Sequence, residues 1–490
     1  MIQRLCLLWI LTWPVLATLT AQSSGLQRAV DLFSKDPSLA HATVSVCMVD
    51  ARTGQKLAGY RTEQSAAPAS SLKVLTTSTA LAILGSDYTF RTELQYDGDI
   101  DTEGVLRGNL ILRGTGDPTL GSPQMESVPG LDALMERLSV AIQQKGIRRI
   151  TGYVIADASC FNTEVSGASW QWIDMGNYYG AGAWGLNIHE NMYYLRFRQT
   201  DQVGEIPDIA TVEPDVPELV FNNEVTSAPA GTGDNAYIYG APFTGERYVR
   251  GTIPVGRGTF SIKGSMPDPP QAAAYYLNQR LKQVGIICDK GPISLLELNR
   301  KGAKTGTRRL LYTYYSPSLA EIVKRTNLQS VNLYCEAMLR AIGLARKQQG
   351  SPDTGLEVVR DYWRNKGLDM DGVFLEDGSG LSPHNAVNSH FMADLMSKIY
   401  QDKALYEVIN ASLPVAGKSG GLKNMLNGTA AEGKLRAKTG TLNRVRSFTG
   451  YAPDRNGRLV AFCIIVNNYT GSGSAIRDKM EKLMKAICDN

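Results

Sequence analysis

The order of secondary-structure patterns along the chain constrains the fold more than any single motif does. From about residue 88 to 300, short β-like runs alternate with turns rich in Gly, Pro and Asp, and little long helix is predicted. The parts on either side mix strands with amphipathic helices. The chain is thus βα at its start, β-rich in its middle and αβ at its end, so we predict an α+β fold whose two outer parts form one domain, with the β-rich middle inserted into it.

The outer elements follow from hydrophobic periodicity and turn signals. The first part contains a strand over 42–50, its hairpin partner over 55–60 and a helix over 70–84. The second part contains a helix over 330–342, two strands over 444–451 and 459–468, and a closing helix over 474–488. We therefore divide the chain into a leader at 1–21, a first domain part at 22–87, β-rich inserted domains at 88–300 and a second domain part at 301–490.

Residues 1–21 have the pattern of a secretory signal peptide. Arg4 precedes an apolar run over 5–16, and small residues follow it. The run is short for a membrane span and Pro14 interrupts it, so no integral span is expected once the leader is removed. Ala17 and Ala21 both remain candidate cleavage points. The sequence therefore predicts export to the periplasm or cell envelope.

Charge, histidine and cysteine content disfavour several classes of protein. Lys and Arg number 51 against 47 Asp and Glu, and this slight basic excess disfavours a nucleic-acid-binding protein. Only four histidines are present, which limits metal sites and imidazole bases, and no metal or other cofactor is predicted. The cysteines beyond the leader are far apart, so we interpret them as small buried hydrophobic residues: Cys47, Cys160, Cys288, Cys335, Cys463 and Cys488.

An S-x-x-K motif, Ser70 to Lys73, opens the first predicted helix. The i,i+3 spacing brings the Lys73 amine beside the Ser70 hydroxyl on one face. A serine hydroxyl needs a base to become a nucleophile, and a lysine with a lowered pKa can act as that base. The helix N-terminus also favours a developing oxyanion. An ordinary helix start with a solvated lysine is the alternative for this motif taken alone.

Two further short motifs follow in order along the chain. Ser330 to Asn332 is an S-x-N that opens the second helix, where it would place a hydroxyl near the Ser–Lys pair and an amide toward a peptide substrate. The sequence Lys438-Thr439-Gly440-Thr441 is a K-T-G motif ahead of the last two strands, and Gly440 allows a close backbone approach. The same five letters, AKTGT, occur around Lys304. We assign the function to Lys438 because two strands and the last helix follow it.

Two competing motifs share one stretch of sequence. Residues Gly417 to Gly421 fit G-x-S-x-G, the nucleophile elbow of serine hydrolases, with Ser419 as the nucleophile. That triad requires a histidine downstream, and none follows His390. The same stretch contains G-K-S, but Ser412 occupies the position of the leading glycine of a phosphate-binding loop. Neither alternative can be completed.

In combination, S-x-x-K, S-x-N and K-T-G in this order resemble the penicilloyl serine transferases, the class of penicillin-binding proteins and serine β-lactamases. Ser330 follows Ser70 by 260 positions, far more than in compact members, and the excess matches the β-rich middle. This layout is similar to D-alanyl-D-alanine carboxypeptidase/endopeptidases of the penicillin-binding protein 4 type. The segments 114–120, 377–381 and 413–417 agree with that resemblance, which implies a transpeptidase-like domain with an antiparallel sheet flanked by helices.

The resemblance also implies a role for each motif residue. Ser70 is the acylated nucleophile and Lys73 its general base, while Ser330 relays a proton toward the leaving group and Asn332 holds the substrate amide. Lys438 and Thr439 bind the terminal carboxylate, and Gly440 lies between them and Thr441, whose N–H shares the oxyanion with that of Ser70. Trp172 and Asp174 are the best local match to a segment that recognises the diamino acid of the peptide stem. Ser419 replaces an acidic residue that is common in relatives.

The implied function is serine D-Ala-D-Ala carboxypeptidase activity, with D,D-endopeptidase activity on cross-links by the same steps. The implied partners are peptidoglycan stem peptides, with β-lactams as acylating inhibitors. A β-lactamase is the first alternative, and the long insertion argues against it. A catalytically silent peptidoglycan-binding protein is the second, and the three intact motifs argue against it. The oligomeric state and the preference between the two activities stay open.

Overall fold

The structure is a computed structural model that describes residues 24–490, so the predicted leader lies outside the described residues. The strands are β1 (Thr43–Asp50), β2 (Lys56–Tyr60), β3 (Arg91–Tyr96), β4 (Asp99–Ile100), β5 (Val105–Arg107), β6 (Leu110–Gly114), β7 (Arg149–Ile150), β8 (Val154–Asp157), β9 (Met192–Arg198), β10 (Ile209–Glu213), β11 (Val220–Ala228), β12 (Asn235–Tyr239), β13 (Glu246–Pro254), β14 (Thr259–Ser265), β15 (Ile287–Cys288), β16 (Pro292–Ser294), β17 (Arg309–Tyr315), β18 (Arg436–Leu442), β19 (Val445–Pro453) and β20 (Leu459–Asn467). The α-helices are α1 (Gly25–Ser34), α2 (Lys73–Leu84), α3 (Leu131–Gln144), α4 (Trp172–Met175), α5 (Pro269–Gln283), α6 (Leu295–Arg300), α7 (Leu319–Gln329), α8 (Asn332–Lys347), α9 (Pro352–Asn365), α10 (Ser389–Gln401), α11 (Lys403–Ser412) and α12 (Gly473–Asp489).

Strands from both ends of the chain form one antiparallel sheet of order β18-β19-β20-β1-β2. Side chains alternate across this sheet, as the period of two requires. On β1, Cys47 and Val49 pack with helices α2, α8 and α10, whereas Val46 and Met48 pack with α1 and α12. The sheet is therefore buried on both faces, and the predicted α+β fold with an antiparallel sheet flanked by helices is confirmed.

The inserted part contains four further sheets around its own core. Its first strand, β3, pairs antiparallel with β17, so the chain enters and leaves the insertion side by side. Strand β17 lies beyond the boundary at 300 that the sequence suggested, and it belongs to the sheet of order β16-β8-β6-β3-β17. The insertion therefore begins shortly after α2 and ends shortly before α7. Helix α2 begins at the S-x-x-K motif, and the S-x-N motif directly follows α7.

The prediction of little long helix in the middle is wrong, because α3 and α5 are 14 and 15 residues long. Helix α3 buries Leu134, Leu138 and Ile142 along one stripe. Helix α5 begins with two prolines after an Asp268 cap, and prolines at the first helical positions start a helix instead of breaking it. Both helices contribute side chains to the core of the insertion.

The remaining general predictions concern cysteines and membrane spans. Cys160 is half-buried and the other five described cysteines are buried, and within residues 24–490 all six are free. Their interpretation as small hydrophobic residues is confirmed for those five. In this same part of the chain no helix is long and apolar enough to cross a membrane.

Candidate active site

Ser70 and Lys73 lie at the start of α2, where the chain first makes a 3-10 turn over Ala69–Leu72. Side chains at i and i+3 nearly eclipse in a 3-10 turn, which suits the S-x-x-K spacing. The Lys73 Nζ to Ser70 Oγ distance is 3.0 Å. Ala69 has a φ of 48°, and its strained backbone turns Ser70 to a half-buried position at the mouth of the helix.

Lys73 is fully buried and has two further hydrogen-bond partners, both of which accept. Its Nζ donates to Asn332 Oδ1 at 2.6 Å and to the Ser379 carbonyl at 2.5 Å. Burial lowers the pKa of Lys73 from its ordinary value. A neutral amine has two N–H donors and one lone pair, so these two acceptors leave the lone pair for the Ser70 hydroxyl. This arrangement is what a general base requires.

Asn332 begins α8 and links Lys73 to the insertion. Its Nδ2 donates to the Tyr179 carbonyl at 2.8 Å, while Oδ1 accepts from Lys73. Each atom keeps one further hydrogen-bonding capacity for a ligand. Ser330, two residues earlier, has a left-handed φ of 60° that ends α7 and directs its hydroxyl toward Lys438. The S-x-N motif therefore reaches both lysines.

Lys438 lies on the edge strand β18, with its amine buried. Its Nζ donates to Ser330 Oγ at 2.9 Å and to the Thr439 carbonyl at 2.8 Å. Burial lowers the pKa of Lys438 well below its ordinary value, and the positive charge of Lys73 acts in the same direction. Because the buried Lys438 amine hydrogen bonds only to neutral partners, a ligand carboxylate beside it would stabilise its ammonium form and be bound by it.

Gly440 and Thr441 bring β18 against the turn that carries the nucleophile. A Cβ on Gly440 would lie 2.4 Å from the Pro68 carbonyl oxygen and 2.9 Å from the Ser71 nitrogen. Only glycine permits this approach. Thr441 is exposed and its hydroxyl accepts a hydrogen bond from Arg446.

Thr439 is half-buried beside the loop that holds Ser419. A Cβ on Gly421 of that loop would lie 2.6 Å from Thr439 Oγ1. Ser419 caps its own turn, because its hydroxyl accepts from the Val415 N–H at 3.1 Å. The loop that holds Ser419 therefore packs beside the K-T-G strand. Lys304, in the second AKTGT sequence, lies in an exposed loop before β17.

Trp172 and Asp174 lie on the short helix α4 of the insertion. Trp172 is 52% exposed and packs edge-on against Tyr239, with ring centroids 5.2 Å apart. Asp174 accepts a hydrogen bond from the Tyr179 hydroxyl, and burial raises the pKa of its carboxyl. Since the Tyr179 carbonyl accepts from Asn332, Asp174 connects to the Ser–Lys pair through Tyr179. The ring contact of Trp172 is with Tyr239, which also belongs to the insertion.

Sequence reasoning missed the support beneath Lys73. Glu336, one turn after Asn332 on α8, accepts the Gly378 and Ser379 N–H groups at 3.0 and 2.8 Å. These bonds aim the Ser379 carbonyl at Lys73. Burial, with the charge of Asp377 adding to it, raises the pKa of Glu336 to about 7. An acidic residue one helical turn after the S-x-N asparagine was the available signal.

Asp377 closes the same loop onto the insertion. Its carboxylate accepts from Trp170 Nε1 at 2.8 Å and from the Gly380 and Ser382 N–H groups at 2.7 and 2.6 Å. Gly380 in turn packs directly on the Ala69 carbonyl. Loop, insertion and nucleophile turn therefore form one continuous structure. Across residues 24–490 no cluster of His, Cys, Asp and Glu side chains is arranged to hold a metal ion.

A serine paired with a buried lysine, at the junction of an antiparallel sheet and its covering helices, defines the class of active-site-serine penicillin-binding enzymes. The model of the D-Ala-D-Ala carboxypeptidase 3 (S13) family matches residues 26–487, so the chain belongs to that family of serine carboxypeptidases. The resemblance predicted from the three motifs is thereby confirmed.

Relatives agree with this family, and a solved structure agrees with the fold. The chain is 30% identical over 469 residues to a D-alanyl-D-alanine carboxypeptidase of Actinomadura sp. strain R39, covering 94% of this chain and 84% of the relative. It is 26% identical to the D-alanyl-D-alanine carboxypeptidase DacB of Haemophilus influenzae, covering 88% and 86%. The crystal structure of penicillin-binding protein 4 (dacB) from Haemophilus influenzae superposes with a TM-score of 0.79 at 24% identity, covering 93% of this chain and 97% of that chain.

Proposed function

We propose that the protein is an exported carboxypeptidase that releases the terminal D-Ala from peptidoglycan stem peptides through an ester on Ser70, and that it also cleaves D-Ala–diaminopimelate cross-links. The observation that carries the proposal is the hydrogen-bond set of Lys73. Two fixed acceptors, Asn332 Oδ1 and the Ser379 carbonyl, occupy its N–H donors and leave the lone pair facing Ser70.

In the acylation step, neutral Lys73 takes the Ser70 proton while Ser70 Oγ attacks the carbonyl carbon of the penultimate D-Ala. The carbonyl oxygen becomes an oxyanion, which the N–H groups of Ser70 and Thr441 stabilise. Burial favours this step because it lowers the pKa of Lys73 and so increases the fraction of neutral amine. Lys73 then carries the proton as an ammonium with three hydrogen-bond acceptors.

Collapse of the tetrahedral intermediate breaks the bond to the terminal D-Ala nitrogen. Lys438 donates to Ser330 Oγ, so the hydroxyl hydrogen of Ser330 is free to pass to that nitrogen. The proton taken by Lys73 restores the Ser330 hydroxyl, and D-Ala leaves as an amine. Water next attacks the ester carbonyl with Lys73 again as base, and the Ser70–acyl bond breaks to regenerate the serine.

Substrate contacts follow from the charges and hydrogen-bond groups around the pair. Lys438 and Thr439 suit the terminal carboxylate, since the buried Lys438 amine has only neutral partners and a carboxylate would hold it as an ammonium. The remaining capacities of the Asn332 amide suit the peptide bond before the scissile one. Asp174, with Trp172 beside it, suits the amino group of the stem diamino acid. Endopeptidase activity uses the same atoms, with a diaminopimelate nitrogen in place of the D-Ala nitrogen.

Intact-mass spectrometry after incubation with penicillin tests the nucleophile. We expect one penicilloyl adduct on the wild type and none on Ser70→Ala. The two K-T-G lysines supply a matched pair: Lys438→Ala should acylate far more slowly, whereas Lys304→Ala should acylate like the wild type. Absence of an adduct on the wild type, or an adduct that survives Ser70→Ala, contradicts the proposal. β-Lactam binding is supported by the Haemophilus influenzae penicillin-binding protein 4, whose structure was solved with a β-lactam.

Product analysis separates the proposal from its alternatives. D-Ala release from a monomeric pentapeptide and cleavage of a cross-linked dimer should both be measurable, and both should be lost in Ser70→Ala. Rapid turnover of nitrocefin would favour a β-lactamase instead. Retained muropeptide binding without D-Ala release would favour a silent binding protein.

Export predicts that mature protein in the cell envelope fraction begins after Ala17 or Ala21, which N-terminal sequencing measures.

A further inference from the structure

A cavity of about 200 Å³ adjoins the S-x-N motif on the side of the insertion. Ser330 and Asn332 form one of its walls, and Tyr178, Lys263 and Arg325 form others. The cavity is therefore continuous with the groups that surround the scissile bond. Lys263 comes from β14 and Tyr178 from a 3-10 turn over Tyr178–Gly180 that directly follows α4, so the insertion supplies the outer part of this space.

Lys263 is held in place without a carboxylate partner. Its ammonium lies 5.2 Å from the centre of the Tyr178 ring and 5.6 Å from that of Tyr194. No ion pair to Lys263 occurs among the residues that the structure describes. The tyrosines restrict the side chain while leaving its three donors for a ligand. A restrained, half-buried ammonium with free donors favours an anionic group.

The other cation in the cavity, Arg325, has a carboxylate at ion-pair distance. Arg325 Nε lies 3.8 Å from Glu190 Oε1, which also accepts from the Ser122 and Tyr334 hydroxyls at 2.5 and 2.7 Å. Glu190 is buried and its charge is shared among these three partners. The cavity therefore carries one uncompensated positive charge, on Lys263, at its outer side.

We infer that Lys263 binds a second carboxylate of the peptide substrate, beyond the terminal one that Lys438 takes. This inference rests on the proposed function. When D-Ala is released, the leaving group carries a single carboxylate, and Lys438 binds it. A second cationic site is therefore useful only for substrates that carry more than one carboxylate. A cross-linked substrate has such carboxylates on the leaving strand, and a long stem has them on the acyl strand. Lys263 thereby separates substrates by charge rather than by reactivity at Ser70.

The test uses peptides with the second carboxylate either free or converted to an amide. We expect the ratio of kcat/KM for the free form to that for the amide form to fall about tenfold in Lys263→Gln, the scale of a charge-assisted hydrogen bond that is partly exposed. Lys263→Arg keeps the charge and should restore most of the ratio. Lys290→Gln is a matched control, since the Lys290 ammonium also lies 5.2 Å from a tyrosine ring, that of Tyr153, but outside the cavity.

Two substrate sets identify the strand. If Lys263→Gln lowers the kcat/KM ratio only for the cross-linked dimer, the carboxylate belongs to the leaving strand. If it lowers the ratio for both the dimer and the pentapeptide, the carboxylate belongs to the acyl strand. An unchanged ratio in both sets overturns the inference. If Lys263→Gln fails to fold, added salt on the wild type is the second test: it should reduce the ratio, and a salt-independent ratio overturns the inference.

Failure here is distinct from failure of the proposed function. A wild type that forms no penicilloyl adduct and releases no D-Ala contradicts the proposed function. A wild type that does both, with a ratio that Lys263→Gln leaves unchanged, contradicts only the carboxylate site.

Discussion

Substituting Gly440 by alanine tests whether the close approach of β18 to the nucleophile turn sets the reactive geometry. The added Cβ would lie 2.2 Å from Ser447 Oγ and 2.4 Å from the Pro68 carbonyl oxygen. Both distances are about 1 Å or more below the roughly 3.5 Å of ordinary van der Waals contact. Ser447 cannot turn away without loss, because its hydroxyl donates to that same carbonyl at 2.5 Å. Strand and turn must therefore separate.

The expected cost appears in both stability and reactivity. Overpacking of this kind lowers the free energy of unfolding by about 1–3 kcal/mol. Separation by about 1 Å moves Lys438 and the Thr441 N–H away from Ser70, and a displacement of that size slows a positioned reaction about 100-fold. We therefore expect Gly440→Ala to remain folded at low temperature, with strongly reduced acylation by penicillin.

The rate of acylation by a fluorescent penicillin measures the second effect, and urea denaturation measures the first. Gly258→Ala is the matched control, because Gly258 is exposed and the nearest atom to its added Cβ is 3.8 Å away. It should change the free energy of unfolding by less than about 0.5 kcal/mol and leave acylation at the wild-type rate. Wild-type acylation by Gly440→Ala would refute the reasoning, as would an equal loss in both variants.

Three other predictions concern Lys73 and the loop beneath it. The rate of acylation should rise with pH through the pKa of Lys73, because only the neutral amine accepts the Ser70 proton and burial lowers that pKa from 10.5. In Lys73→Arg the guanidinium stays protonated, so mass spectrometry should detect no adduct at any pH. Asn332→Asp should move the acid limb of the same pH profile to higher pH, because a carboxylate near Lys73 Nζ stabilises the ammonium. An unmoved acid limb would show that residue 332 does not affect the pKa of Lys73. Trp170→Phe removes the donor to buried Asp377 and should lower the free energy of unfolding by about 1–3 kcal/mol in urea, whereas Trp172→Phe, at an exposed position, should lower it by less.

The sequence was most informative where chemistry depends on short spacing. The Ser70–Lys73 contact follows from an i,i+3 relation, and a local turn determines it. The contact between Lys438 and Ser330 follows from no spacing, since 108 positions separate the two residues, and the resemblance to a family implied only that both belong to one site. The choice of Lys438 over Lys304 rested on the following strands, which the structure places in the main sheet.

The sequence did not predict the positions of main-chain acceptors or the contacts between loops that are distant along the chain. The Ser379 carbonyl is a main-chain acceptor, and any residue type could provide it. Its position depends on Glu336, whose role emerges only once α8 and the loop are packed together. Helices α3 and α5 lie in a region whose many turn residues indicate short strands, although each helix buries apolar residues of its own. Tertiary packing decides the positions of the Ser379 carbonyl and Glu336, whereas α3 carries its signal in its own apolar stripe.

The insertion supports the base that we propose, because it holds both acceptors of the Lys73 amine. Asn332 is fixed from the insertion by the Tyr179 carbonyl, and the Ser379 loop is fixed from it by Trp170. Lys73 can direct its lone pair at Ser70 only while both acceptors stay in place, since a freed N–H would compete for the serine oxygen. A compact enzyme without the insertion has to provide these restraints in another way. The segment that we propose to recognise the substrate is thus linked to the proposed base, since three hydrogen bonds lead from Asp174 through Tyr179 and Asn332 to Lys73.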